Sequence, residues 1–242
     1  TFTSSAASPT PGAWGTIRVA NTAGARVLLN YTIIEYASAA ISQECCGVIN
    51  RSAISDSILR LNRNWTSGYS SGAFEFWRTT IEGNLGGNQA YDLLRDCTVR
   101  NNPAGGVIIS DARMRGGVVS GNDTIANQSN GSGTVTACRT LFTGNQRLYR
   151  IDATECTIAR NFGPIEFRDP PTITQSNICN NGALDVRNTS SQPATFTNNY
   201  WCTTDTAAIA TRIYDQRDDG TLGLVTFTPL RTSASPTAPA IP

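Results

Sequence analysis

A chain of 242 residues with net charge +1 and only 15% charged residues lacks the basic face that nucleic acid or an anionic membrane demands. All 19 basic residues are arginine, and without lysine or histidine much acid–base chemistry and every mixed Cys/His zinc site are excluded. No run of about twenty apolar residues is present, so no membrane-spanning helix is expected.

Residues Thr1 to Pro11 are mostly Ser, Thr, Ala and Pro around a lone Phe2. Such a composition cannot bury a core, so residues 1–12 are expected to form an extended arm with Phe2 as its apolar anchor. Residues 13–228 read as one folded domain. It opens at Trp14-Gly15-Thr16-Ile17, continues through Val27-Leu28-Leu29 and Tyr31-Thr32-Ile33-Ile34, and reaches an apolar stretch, Ala39 to Ile49, that carries Cys45-Cys46.

From Ile54 to Asn199 the chain repeats itself. An apolar residue, two variable residues and an Asn recur at Asn64, Asn84, Asn102, Asn122, Asn145, Asn161, Asn181 and Asn199, stepping by 20, 18, 20, 23, 16, 20 and 18 residues. A period of about twenty residues signals a solenoid. Apolar-x-apolar triplets follow at Phe74-Glu75-Phe76, Tyr91-Asp92-Leu93, Val107-Ile108-Ile109, Tyr149-Arg150-Ile151, Ile165-Glu166-Phe167 and Leu184-Asp185-Val186, the alternation of a strand with one buried face. Short strands with no helical period between them predict an all-β fold, a parallel β-helix. The Asn is expected at the turn between sheets, in the left-handed backbone conformation it tolerates, with its amide stacked on the coils above and below. The polar stretch Asn122 to Gly133 lengthens one coil.

Beyond Asn199 the pattern changes. Asp205 is placed to N-cap a short helix with Ile209 and Ile213 on one face, which covers the open end of the solenoid. Asp218-Asp219-Gly220 reads as a turn, Leu222 to Phe227 as a last strand, and residues 229–242 as a Pro/Ser/Thr-rich tail or linker. The segment Asn198-Asn199-Tyr200-Trp201, Ile209, Ile213-Tyr214-Asp215, Asp218-Asp219 and Leu222-Gly223-Leu224-Val225 resembles the close of many bacterial right-handed parallel β-helix repeat proteins of pectate-lyase-like architecture. Trp14-Gly15-x-Ile17 resembles their opening coil. That family usually has Gly where this chain has Cys202, which implies a local cross-link. Its members do many things, so the resemblance implies the fold and not lyase activity.

The seven cysteines leave pairing open. Cys179 and Cys202 fall on successive coils, Cys45 or Cys46 can pair with each other or with Cys138, and Cys97 and Cys156 share an inward slot about three coils apart, too far to bridge. Together with the opening Thr1-Phe2-Thr3, this favours an exported protein at the cell surface or outside the cell.

Three functions are open. The first is a non-enzymatic structural subunit that self-associates through its terminal arms, Phe2 adding as a strand to a neighbour. The second is a carbohydrate-binding module that uses Trp65 and Tyr69. The third is a polysaccharide lyase or glycoside hydrolase. Its candidate acids are Glu75 with Asp92 and Glu166 with Asp185, each pair expected about 5 Å apart on adjacent coils, a separation that suits retaining hydrolysis. Charged outward positions on a solvated strand are also what any such strand carries, and no cofactor or metal is expected.

Overall fold

Alternating residues in runs of three or four, separated by left-handed corners, make short parallel strands stacked coil upon coil. The computed structural model describes residues 1–20, 25–43, 52–67, 74–87, 93–103, 107–109, 112–126 and 134–242. Every strand pair in it is parallel, and the chain is a β-solenoid with one short helix. The first sheet has eight strands, from Leu28–Asn30 through Phe74–Trp77, Leu93–Arg95 and Arg113–Arg115 to Ile173–Thr174. The second, also eight-stranded, runs from Ile33–Glu35 to Asn177–Cys179. The third position is filled first by a three-stranded sheet, Ile17–Val19, Ala39–Gln43 and Asn64–Ser67. It is filled later by a six-stranded one from Val107–Ile109 to Ile213–Tyr214.

The register stacks like on like. Ile34, Leu59, Ile81, Val99, Val119, Phe142, Ile158 and Ile178 form one inward column of the second sheet, all buried. Ile54, Phe76, Leu94, Met114, Ala137, Ala153 and Ile173 do the same on the first sheet. Each fully buried Leu, Ile or Phe contributes roughly 1.5–3 kcal/mol.

At the corner after the second sheet lies the asparagine ladder, built from Asn62, Asn84, Asn102, Asn122, Asn145, Asn161 and Asn181. Asn102 shows the unit. Its Nδ2 donates to Asn122 Oδ1 at 2.7 Å and to the Ile81 carbonyl at 3.2 Å, while its backbone N–H donates to the same Asn122 Oδ1 at 3.2 Å. Two donors and one doubly accepting oxygen per amide leave nothing unsatisfied in a dry corner, where an orphan group costs about 1–3 kcal/mol.

Two expected members lie elsewhere. Asn64 opens a strand of the third position, with Nδ2 only 3.4 Å from the Ser38 carbonyl, and the true first rung is Asn62. Both Leu59…Asn62 and Leu61…Asn64 satisfy the motif, but Leu61 is the exposed corner residue, whereas Leu59 points inward. Asn199 occupies the other corner, where its Oδ1 accepts from the Ser176 N–H at 2.9 Å. That corner carries Ser57, Thr79, Cys97, Thr140, Cys156 and Ser176, whose hydroxyls or thiols bond strand carbonyls, as Thr79 does with Ile54 at 3.2 Å. The left-handed residue is also not the ladder Asn but the one before it: Leu61, Gly83, Asn101, Gly121, Gly144, Arg160 and Asn180.

Both ends are closed by the chain itself. Phe2 pairs with Ile34, its N–H donating to the Ile33 carbonyl at 2.8 Å and its carbonyl accepting from the Glu35 N–H at 3.0 Å. The arm therefore lies on the first edge of its own second sheet. At the other end the helix Thr206–Ala210 is capped by the Asp205 carboxylate and buries Ile209, and Cys179 is bonded to Cys202. The segment expected as a tail or linker folds back over the last coils: Ser235 N–H donates to Asn177 Oδ1 at 2.8 Å and the Thr157 hydroxyl donates to the Pro239 carbonyl. It contacts the outward side chains of Thr157 and Asn177, in strands Thr157–Ala159 and Asn177–Cys179 whose every residue is buried, unlike the earlier strands of that sheet.

Substituting Asn122 by Ala strands the Val99 carbonyl and the Asn102 amide groups. We expect it to lower unfolding stability by about 3 kcal/mol or more. Asn64→Ala, outside the ladder, should cost within about 1 kcal/mol, and urea titration of the two variants checks the contrast.

Candidate binding groove

The pleat of the six-stranded sheet sets one outward column. Ile165 and Phe167 point inward and Glu166 outward; Val186 and Asn188 point inward and Arg187 outward. Register then places Tyr149, Glu166, Arg187 and Tyr214 in line, at about 4.8 Å per coil. The Glu166 carboxylate meets the Arg187 guanidinium at 3.5 Å, and that guanidinium lies 5.7 Å from the Tyr214 ring centre.

Beside this column the corner residue Phe162 stands 67% exposed, held by its N–H donating to the Asn145 carbonyl at 2.8 Å. Gly182, at φ +61°, packs so closely that a Cβ there would lie 2.3 Å from the Phe162 carbonyl oxygen, so only glycine lets the next coil approach. Phe162, Pro164, Glu166, Leu184, Arg187 and Tyr214, with Ala183, line a groove of about 450 Å³. An exposed ring on one wall and a second ring against a fixed ion pair on the other offer apolar stacking and directed hydrogen bonds to one ligand.

Of the acids named from sequence, only Glu166 reaches this groove. Asp185 is buried and turned inward, where Oδ1 accepts from the Asn181 N–H (2.8 Å) and Nδ2 (3.2 Å) and Oδ2 from Arg212 Nε (2.5 Å). It ends the ladder. Glu75 lies on the first sheet, opposite Ala53 and Leu93, and Asp92 is outside the described residues. The expected pairing of Glu166 with Asp185 is not formed, and Glu75 faces no acid across its own register. The triplets that suggested one acidic column belong to two different sheets, with Tyr149-Arg150-Ile151 spanning the corner between them. Arg150 instead meets Asp169 at 3.4 Å.

Trp65, expected as a sugar platform, is fully buried, edge-on to Phe76 with ring centres 5.2 Å apart. Tyr69 lies outside the described residues. Phe162, Arg187 and Tyr214 escaped the sequence reading as site residues. The signal for Tyr214 was present in Ile213-Tyr214-Asp215, an inward residue followed by an outward aromatic, but only register shows which side chains it joins. Among the described residues no group of three His, Cys, Asp or Glu could hold a metal ion, and no helix is long and apolar enough to cross a membrane. Asp219 accepts from the N–H and hydroxyl of Thr221 at 3.0 and 2.7 Å, a turn bonded to itself.

No known protein family, curated protein or solved structure matches this chain. The groove's own chemistry therefore bears the weight. It holds one carboxylate, and Arg187 neutralises it, so the two-carboxylate constellation of glycoside hydrolysis is not assembled there.

The cysteines divide by environment. Cys97 and Cys156 are fully buried, and burial pushes their thiols up to about 11 and about 12, so neither is thiolate near neutrality. Cys138 is half-buried and unpaired, and Cys45 and Cys46 lie outside the described residues. In the native protein at pH 8 a thiol-specific reagent should label Cys138 while leaving Cys97 and Cys156 unmodified until denaturant is added, as read by peptide mass mapping.

Proposed function

We propose that this chain is a non-enzymatic, exported, surface-associated β-solenoid that binds glycan in the groove of its third sheet. The observation that carries this is the arrangement of Phe162 and Tyr214 around the Glu166–Arg187 pair. A sugar ring has apolar C–H faces and a rim of hydroxyls. Aromatic walls take the first, and a charge pair with spare donors and acceptors takes the second. The Cys179–Cys202 disulfide supports export, because such bonds persist in oxidising compartments. The likeness of the opening and closing segments to pectate-lyase-like bacterial β-helix repeat proteins is consistent with the same setting.

Affinity electrophoresis of the full chain through gels containing neutral polysaccharides, such as xylan, galactomannan and soluble cellulose derivatives, tests this. At least one polymer should retard the protein, and Phe162→Ala or Tyr214→Ala should weaken that retention by about tenfold, the loss of roughly 1.4 kcal/mol of stacking. Retention unchanged in both variants, or absent throughout, overturns the groove as a glycan site.

Self-assembly is a second reading, and the arm speaks to its form. Phe2 already occupies the edge strand Ile33–Glu35 that a neighbour's arm would need, so assembly through this arm requires exchange between protomers. Deletion of residues 1–11 uncovers that edge. Sedimentation velocity should then show a monomeric full-length chain and concentration-dependent association of the truncated one. Fibres of the full-length chain that vanish on truncation would instead support arm exchange.

A further inference from the structure

Several outward arginines of this protein are paired with an acid on an adjacent coil. Arg60 meets Glu35 and Arg100 meets Glu82, both at 2.7 Å, along the second sheet. At the corner between the first two sheets Arg78 meets Asp56 at 2.6 Å and Arg139 meets Glu155 at 2.7 Å. The first sheet instead sets arginines beside one another. Register places Arg95 directly beside Arg115, and Arg113 stands two residues away on the same strand and the same face. Arg113 and Arg115 are exposed, and none of the three forms an ion pair among the described residues. The Arg95 guanidinium lies 4.5 Å from the centre of the Trp77 ring on the preceding coil, and its Nε is enclosed without a hydrogen-bond partner.

Three guanidinium groups of one sign on neighbouring strands repel one another, and folding alone gives no reason to gather them. Nearby described acids are otherwise placed. Asp96 follows Arg95 into the corner, where its charge acts on Arg78, and Glu75 has an interaction of its own. The patch follows the strand repeat of about 4.8 Å and borders the Trp77 indole. Arginine forks bind sulfate and carboxylate oxygens two at a time, and a spaced row of them fits a polymer that carries such groups along its length.

We infer that the outer face of the first sheet around Trp77, Arg95, Arg113 and Arg115 binds a polyanionic glycan bearing sulfate or carboxylate groups. Arg113 and Arg115 hold the anions, and Trp77, braced by Arg95, stacks on a ring. This face is separate from the groove of the third sheet and does not depend on it. With a net charge of only +1, the chain offers this local patch rather than the broad basic field that nucleic acid requires.

The test measures affinity of the full chain for dextran sulfate and polygalacturonate at low and physiological salt, with unmodified dextran and single-stranded DNA as comparators. The wild type should bind a polyanionic glycan in preference to dextran and lose affinity as salt rises. The pair Arg113→Glu with Arg115→Glu should weaken binding by at least about tenfold with an unchanged circular dichroism spectrum. The charge-matched pair Arg147→Glu with Arg168→Glu, exposed residues within and just after strands of the third sheet, should weaken it by less than about threefold. Tyr214→Ala should bind polyanions like wild type, which separates this surface from the neutral-glycan groove. Equal losses in the two charge-reversal pairs, no binding of either polyanion, or tighter binding of the DNA each overturns the proposal.

Discussion

A primary amide carries two donors and an oxygen that accepts twice, and a dry corner of a solenoid must satisfy all of them at every coil. The asparagine column meets that demand in one direction. Each Nδ2 and each backbone N–H points to the Oδ1 of the next coil, and the second amide proton returns to the strand carbonyl of the coil before. This locks three successive coils to one another at a single residue, so neither rotation nor slippage of one coil is possible without orphaning buried groups. The inward columns of Ile, Val, Leu and Phe fall into register as a consequence. The opposite corner uses smaller groups for the same purpose, and a cysteine thiol at 3.3 Å from the Phe76 carbonyl does what a hydroxyl does a coil away.

With the interior so constrained, function is confined to outward positions, and the three sheets treat theirs differently. The second sheet neutralises its charges in a Glu35–Arg60 and Glu82–Arg100 series and surrenders its last strands to the returning tail. Exposed pairs of this kind contribute little stability, about 0–1 kcal/mol each, but they leave no net field. The first sheet keeps an arginine cluster that forms no ion pair among the described residues, and the third keeps aromatic rings beside an ion pair. A rigid backbone presents both at spacings set by the strand repeat, so a polymer that binds them is read without reorganisation of the protein.

The solenoid was legible because its period is written in residue types that the corner demands, and the inward apolar residue three before each Asn supplied a second mark. The reading failed where two frames satisfied the same mark. Leu61…Asn64 and Leu59…Asn62 differ by two residues, and only the position of the left-handed residue separates them. Asn199 fits the motif by spacing, yet it stacks on Ser176 because the last coil enters from a different strand arrangement. The acidic column failed for a related reason. Coil lengths vary after the ladder, so distance from the Asn does not decide whether a triplet joins the third sheet or the first. Trp65 shows the limit of residue type: an aromatic near a loop reads as exposed, and only the neighbouring strand reveals that it packs on Phe76.

How the ladder stops joins its stability to the groove. A column of donors that all point one way must end on a group that accepts and has nothing left to donate, and a carboxylate is such a group. Asp185 takes that place four residues after Asn181, receiving both of its N–H groups. Burying the negative charge is unfavourable alone, and Arg212 offsets it with two contacts while the Asp185 N–H donates to the Arg212 carbonyl. Arg187 follows Asp185 by two residues and Tyr214 follows Arg212 by two, so the same clamp that terminates the ladder holds side by side the two strands that present the groove's cation and its aromatic ring. The acid that sequence alone placed in a catalytic pair is the fixture that aligns these two strands.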